Sequence, residues 1–573
     1  MNLFNDIYTN STIRIAVNDE LTAPVTVQRG VLQGDPLSPL LFNICFNTLM
    51  MTISKPELRT LGYIWGSANS TNCRMWLQFA DDAAIVSSNI KDTQALINVF
   101  HAWCSWSDMI IRLDKCQTFA MAKLKGEYKQ FEPALFINQG KIPAIGLGAS
   151  FKYLGKLYDF ELKNSAAKKN ITEKLETLLS VVSNLKIKSQ LKLALVKQYV
   201  HSQIRFELRT YNFGTTWIDE HLDNIIIRHI RKWLETPIST CLKEMMSFPK
   251  YKGGLSLLTL VNISETEWLR KRNVLKCSKN PDLRALWLQT SAKHIESDAL
   301  LLTHNSYGEA ASMLKDNQIS RSTRHFYSLQ SQGLSARTLE ETIPKSNIQL
   351  WATNLETVST TIHNFAKKAL QQQLPTNSNL VRWKRTSDPS CPLCNKSRSQ
   401  TNKHVLSNCD SAIALNRYTQ RHDEVLMILA EWILSSISST QSLHVDLDTK
   451  KFKPISEIVE IEFRPDIIVT SATSVTSIEL TVCHETNMRK SKDYKLTKYG
   501  NLHDAIKYRW VRLPLHILSV EVSTLGFVSD LTQVIKLCKL PKIPKETLKH
   551  IANTALDNSY RIYVKRNCSD INL

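Results

Sequence analysis

Several things are missing from this 573-residue sequence, and each absence excludes a class. No run is long and apolar enough to cross a bilayer, so a helical membrane protein is not expected. The amino terminus, Met1-Asn-Leu-Phe-Asn-Asp6, has no basic stretch leading into an apolar one, so it does not read as a signal peptide. The twelve cysteines are scattered, and only Cys391 and Cys394 are closely spaced. That argues against a disulfide framework and for a reducing intracellular compartment. There is no internal repeat and no low-complexity tract. Acidic residues are also short, with 52 Asp and Glu against 72 Lys and Arg.

The resulting net charge of +20, with a pI near 9.3, points to a polyanionic partner, nucleic acid before membrane. The charge is clustered. Eight Lys/Arg between Asn364 and Lys403 face one acid, Asp388, and eight Lys from Glu161 to Val200 face three Glu. Either cluster alone could be a solvated face, but two on one chain favour phosphate contacts. A hydrophobic content of 43% with 22% charged residues describes a folded protein, long enough for about three to four domains.

The first 160 residues alternate short strands and helices. Thr12 to Asn18 and Ala23 to Val27 read as a strand pair turning at Asn18-Asp19-Glu20. Gly34, Asp35 and Pro36 then break regular structure, and Ser38-Pro39 starts an apolar helix, Leu40 to Met51. A glycine loop feeding a helix start suits close approach to a base or phosphate, although a plain loop-to-helix junction reads the same way. Met75 to Gln78 and Ala83 to Val86 are strands, with Asp81 and Asp82 at the hairpin tip between them. Two adjacent carboxylates repel, so a bound divalent cation such as magnesium is the functional reading. An Asp-Asp turn is the plain one. Thr93 to Trp106 is an amphipathic helix with Leu96, Val99, Phe100 and Trp103 on one face. Thr118 to Met121 is a strand, and Phe151 to Tyr158 a strand with a glycine kink.

Gln33-Gly-Asp-Pro-Leu-Ser-Pro39, Phe79-Ala-Asp-Asp82, Lys115 and Tyr153-Leu-Gly155, in this order and spacing, resemble the second half of a reverse transcriptase palm. They most resemble the palms of non-LTR retrotransposons. The resemblance implies that Asp81 and Asp82 hold catalytic Mg2+, and that Gln33 and Gly34 lie beside template and incoming nucleotide. It also implies that Lys115 protonates the leaving pyrophosphate, for which an exposed turn lysine is the equal alternative. Tyr153, Leu154 and Gly155 would grip the primer end. Family members carry a further Asp on a strand upstream of the Gln-Gly-Asp-Pro segment, and two-metal phosphoryl transfer needs it. Asp6 has no β-branched strand leading into it. The expectation is therefore an amino-terminally truncated palm without fingers, in which polymerase activity is open.

Ile171 to Leu185, Ser189 to Arg209 and Glu220 to Trp233 read as helices, which by the same resemblance form a lysine-bearing thumb. Lys252-Gly-Gly-Leu-Ser256 is similar to a turn the family carries next. Residues 262 to about 375 are mainly helical, with Trp268, Trp287 and Trp351 expected in the core. Then comes Cys391-x2-Cys394-x9-His404-x4-Cys409. Three thiolates and an imidazole make a closed tetrahedral Zn2+ site, and the metal would supply the folding free energy of so short a segment. A redox Cys-x-x-Cys would not need His404 and Cys409 at this spacing.

A zinc knuckle after a reverse transcriptase resembles the retrotransposons with a restriction-like endonuclease, so a nuclease is expected next. Leu415 to Ile433 reads as an amphipathic helix carrying Arg421-His422-Asp423. Ile461 to Thr470 and Ser477 to Cys483 read as strands whose alternation can bring Asp466 and Glu479 to one metal. This looks like the Pro-Asp…(Asp/Glu)-x-Lys core, with Asp466 and Glu479 binding Mg2+. Thr481 stands where the lysine usually does. In the retrotransposon branch the lysine moves to the following helix, which makes Lys495 or Lys498 the candidate, with Tyr499 beside it. Arg421 and His422 would be a basic element near the scissile strand, or a solvated helix face.

The expected fold is a multidomain α+β chain. It has a partial palm (1–160), helical thumb (161–260), helical linker (261–385), zinc knuckle (386–412) and restriction-like α/β nuclease domain (413–573). Expected partners are RNA template, target DNA and deoxynucleoside triphosphates, with no membrane, and the location is nuclear by family alone. The implied function is target-primed reverse transcription: nicking one target strand, then extending its 3′ hydroxyl along the element's RNA. A nuclease with a vestigial polymerase and an inactive nucleic-acid-binding remnant are the alternatives.

Overall fold

The computed structural model describes residues 9, 11–18, 20–27, 30–32, 34–64, 73–250, 253–290, 295–394, 398–460, 463–507 and 510–570. Two compact units divide the chain, Met1–Ala167 and Lys168–Leu573.

In the first unit, Gly34 takes a left-handed backbone (φ +93), and the Leu37 amide donates to Asp35 Oδ1 at 3.3 Å. This sets up the Ser38–Ile53 helix, with proline in its first turn where a missing N–H costs nothing. Phe46, Leu49 and Ile53 pack on Met75 and on Leu96, Trp103 and Cys104 of the Ile90–Trp106 helix, which Asn89 caps. Trp103 Nε1 donates to Thr48 Oγ1 at 3.0 Å across the two helices.

Over this pair, Trp76–Phe79 and Asp82–Ile85 form an antiparallel hairpin with Phe79 opposite Asp82. Ala80, in its two-residue turn, is left-handed (φ 50), a conformation that favours glycine. The expected first strand pair exists but is broken in two, Thr12–Ile13 on Val25–Thr26 and Ala16–Val17 on Glu20–Leu21. The strand expected at Thr118 runs from Ala120 to Leu124. Phe151 to Tyr158 is not one kinked strand. Phe151–Tyr153 and Lys156–Tyr158 pair antiparallel, because Leu154 (φ 47) and Gly155 (φ 79) are both left-handed, the conformation of a two-residue hairpin turn.

The helix Ser165–Asn184 contains the boundary at Lys168, and the second unit continues with Ser189–Leu195 leading through Val196–Val200 into His201–Thr210, and with Asn224–Leu234. The segments Val196–Val200 and Ile218–Asp223 are wider turns with i→i+5 hydrogen bonding. Buried Asp223 receives the Leu260 and Val261 amides at 2.6 and 3.2 Å, capping the Leu260–Lys276 helix. Burial raises its carboxyl to about 7. The Lys367 ammonium, buried on the Thr360–Leu370 helix, donates to the Gly253 and Gly254 carbonyls at 3.1 and 3.2 Å. Trp351 is core, its ring 4.1 Å from Phe527, whereas Trp268 and Trp287 are only half-buried.

The carboxy-terminal part is a four-stranded mixed sheet. Ser442–Val445, Ile467–Thr470 and Val475–Cys483 run antiparallel in that order, and Leu515–Ser523 lies parallel to Val475–Cys483. The Met488–Lys498 helix makes the parallel crossover, as parallel pairing requires. The long helices Ala412–Ser436 and Lys545–Val564 close the core through Leu426, Leu429 and Ile433 against Ile467, Ile478, Val520 and Ile551. The strand expected from Ile461 starts only at Ile467, since Pro465 has no N–H for the ladder. Residues 461 and 462 lie outside the described ones.

Candidate functional site

Asp466 heads the strand Ile467–Thr470, and the register Ile467↔Ile478 sets it beside Glu479 on the next strand. The Leu480 amide donates to Asp466 Oδ2 at 2.8 Å and fixes that carboxylate. Lys495 comes from the crossover helix, and its ammonium donates to Asp466 Oδ2 and Glu479 Oε2, both at 3.1 Å. Lys498, one turn on, is exposed and sits 5.0 Å over the Tyr499 ring. Tyr499 is buried and donates its hydroxyl to the Arg464 carbonyl at 2.8 Å. Thr481 has a buried hydroxyl without a hydrogen-bond partner among the described residues.

Two contacts lay beyond the sequence reading. Ser477, two residues before Glu479 and so on the same strand face, donates to Glu479 Oε1 at 3.2 Å. Asp423 lies 3.0 Å from His422 Nδ1, while His422 Nε2 lies 3.6 Å from Asp466 Oδ1. The signal for the first was the period of two. The second needed the helix placed against the sheet.

The environment separates the two carboxyls. Burial and the Asp466 charge push Glu479 up to about 7. Burial opposes ionisation of Asp466 too, but hydrogen bonds and charge from His422 and Lys495 outweigh it and hold that carboxyl below the usual range. Burial lowers the His422 imidazole, yet Asp423 and Asp466 together bring it up to about 9. Asp466 and Glu479 thus turn oxygen donors toward one cation, which in this structure is the Lys495 ammonium.

Arg421 points elsewhere. It is buried, donating to the Leu406 carbonyl at 2.8 Å, Ser559 Oγ at 2.9 Å and the Val482 carbonyl at 3.5 Å. It is not part of a solvated helix face.

Cys391, Cys394, His404 and Cys409 are all buried, and their ligand atoms lie within 4.8 Å of one another. A tetrahedral zinc ion with bonds of about 2.0–2.3 Å puts its ligand atoms roughly 3.3–3.8 Å apart, so the set fits. Cys394 Sγ is already 3.5 Å from His404 Nε2. Burial, chiefly, raises the Cys391 thiol to about 11, the direction a bound cation would reverse.

At the first unit's hairpin, Asp81 sits in the exposed turn and Asp82 on the strand behind it. Tyr153, at the end of the other hairpin, feels Asp82. Burial first, then the Asp82 charge, raises its phenol. Leu154 and Gly155 form that hairpin's turn. Lys115 is exposed at the end of the turn Leu113–Lys115. Gln33 lies outside the described residues, while Gly34 is in the loop before the first helix. Among the described residues no third carboxylate joins Asp81 and Asp82.

The family model described as "Reverse transcriptase (RNA-dependent DNA polymerase)" matches residues 2–156. A second, "zinc-binding in reverse transcriptase", matches residues 322–415, which include all four Cys/His ligands. The Pol polyprotein from the type-2 retrotransposable element R2DM of Drosophila melanogaster is 26% identical over 253 residues, 43% of this chain and 22% of its own length. The polyprotein from the type-1 element R2 of Nasonia vitripennis is 26% identical over 257 residues, 44% of this chain and 23% of its own length. That of R2 from Popillia japonica is 25% identical over 262 residues, 45% of this chain and 40% of its own length. The chain thus matches between about a fifth and two fifths of the length of these relatives.

Proposed function

We propose, from the chain's similarity to the reverse-transcriptase polyproteins of non-LTR retrotransposons, that it is part of such a polyprotein and that its carboxy-terminal sheet is a restriction-like endonuclease that nicks target DNA. In the full reaction the freed 3′ hydroxyl primes reverse transcription of the element's RNA, with deoxynucleoside triphosphates as substrates and a nuclear location. The convergence of Asp466, Glu479 and Lys495 carries this reading.

Magnesium held by Asp466 and Glu479 would supply an activated water and neutralise charge on the scissile phosphate. Lys495, held to both carboxylates, orients that water or stabilises the pentavalent phosphate. Ser477 and the Leu480 amide keep the carboxylates from turning away. His422, steadied by Asp423, offers a hydrogen-bond donor beside Asp466 for a phosphate oxygen. Tyr499 anchors the segment that leads into Asp466 through the Arg464 carbonyl. The zinc cluster and the basic residues before it are proposed to lie against nucleic acid.

A second reading, a nuclease whose polymerase part is vestigial, is favoured by one observation: no third carboxylate joins Asp81 and Asp82 among the described residues, while the nuclease set has its lysine in place. Two assays separate the readings: Mg2+-dependent nicking of plasmid DNA, and primer extension on an RNA template. Both activities support the first, nicking alone the second, and loss of both contradicts either.

A further inference from the structure

Arg421 is a buried guanidinium whose hydrogen bonds go to two carbonyls and a hydroxyl and to no carboxylate among the described residues. It is 1% exposed and binds two carbonyls and a serine hydroxyl, and its Nε has no partner among the described residues. An unpaired buried cation is costly, so its position calls for a reason. The three elements it joins supply one. Leu406 is in the turn His404–Asn408, between the zinc ligands His404 and Cys409. Val482 is three residues along the strand from Glu479, and Ser559 is on the Lys545–Val564 helix.

The Ala412–Ser436 helix, which carries Arg421, touches the zinc cluster twice more. Ser411, which caps it, has its hydroxyl 3.4 Å from Cys409 Sγ. The Tyr418 hydroxyl accepts the Cys409 amide at 3.3 Å and lies 3.1 and 2.9 Å from the carbonyls of His404 and Val405. Its ring lies 5.3 Å from the Arg421 guanidinium. Tyr418 is three residues before Arg421 and four before His422, so it shares a side of the helix with each, while Arg421 and His422, adjacent in sequence, diverge from one another. His422 lies 3.6 Å from Asp466.

We propose that Arg421 and Tyr418 are positioning residues through which the Cys391/Cys394/His404/Cys409 cluster sets the divalent-cation affinity of the Asp466–Glu479 site. This rests on the nuclease reading above. Coordination fixes His404 and Cys409 at either end of the His404–Asn408 turn, whose Val405 and Leu406 pack into the neighbouring core. Without it, the carbonyls of His404, Val405 and Leu406 lose their places, and Arg421 has to find other acceptors or water. The helix face that carries His422 then shifts against Asp466, and the strand bearing Glu479 loses its tie at Val482. By linkage, a divalent ion at the nuclease site tightens zinc binding by the same factor.

The test is Mn2+ binding to the full chain, followed by loss of the free-ion paramagnetic resonance signal, with zinc content measured in parallel. Glu479→Gln reports Mn2+ held anywhere else. Zinc-loaded protein is expected to bind Mn2+ at the Glu479-dependent site. Cys409→Ser, which lacks zinc, and Arg421→Lys, which keeps zinc and charge but cannot reach all three elements, are each expected to bind it about tenfold more weakly or worse. If Cys409→Ser does not fold, Arg421→Lys with its zinc retained decides. Unchanged Mn2+ affinity in a zinc-loaded, folded Arg421→Lys protein overturns the proposal while leaving the nuclease reading standing. Absence of any Glu479-dependent Mn2+ binding in the unmutated protein overturns both.

Discussion

Lys495 reaches Glu479 from the crossover helix, its ammonium 3.1 Å from Oε2, although sixteen residues separate them and Lys498 lies on the same helix. Both partners are mostly buried, with 18% of the Lys495 side chain and none of the Glu479 side chain exposed. Replacing Lys495 with Met is expected to lower nicking by about 10²–10³, the usual loss when a charge stabilising the reaction is removed. It should also cost on the order of 3 kcal/mol of stability, the low end for breaking a buried pair, because Glu479 can take up a proton. Lys498→Ala is expected to cost less than about 1 kcal/mol, as for an exposed charge. Plasmid nicking and chemical denaturation of the two variants measure this. Equal losses would contradict the assignment of Lys495.

Removing zinc acts on a different part of the chain. A chelator, or Cys409→Ser, is expected to release one zinc per chain and to expose the 391–409 segment to protease. Metal analysis before and after chelation, with limited proteolysis, reads this out. A segment that stays protected without metal would mean that its contacts with Tyr418 and Arg421 suffice.

Asp223 should make the helical region sensitive to pH. Its carboxyl is held at about 7 in the folded chain, against about 3.9 in an unfolded one. The folded state keeps a proton that the unfolded chain has lost. The stability this group contributes is therefore complete below pH about 4 and is lost as pH rises through about 7. Relative to the unmutated chain, Asp223→Asn is expected to gain at most about 4 kcal/mol between these limits, at 1.36 kcal/mol per pKa unit. Melting curves of the two proteins from pH 4 to 8 test it, and parallel curves would contradict it.

How much of this could be read beforehand differs from residue to residue. That Asp466 and Glu479 could lie side by side on neighbouring strands was legible from a strand period of two, while their metal-binding role came from the resemblance alone. The choice between Lys495 and Lys498 was not legible, since it depends on how the crossover helix is turned over the sheet. Phe151 to Tyr158 read as a single strand because Leu154 gives no local warning of a left-handed backbone, although Gly155 beside it does. Arg421 read as a basic element near the scissile strand or as part of a solvated helix face. Its partners are two backbone carbonyls and a hydroxyl 138 residues away, and no pattern in the sequence marks those. The Cys/His spacing, by contrast, carried its own geometry.

The most direct test of the central claim is nicking of supercoiled plasmid by the full chain in Mg2+, beside the same chain with Glu479→Gln. The substitution keeps the shape of the side chain and removes the charge a cation needs. The account predicts open-circular DNA from the unmutated protein in Mg2+ and none in EDTA. The variant is expected to nick at least about 10²-fold more slowly, as when a group stabilising the reaction is lost. Equal nicking by both proteins would contradict the assignment of this sheet as the nuclease.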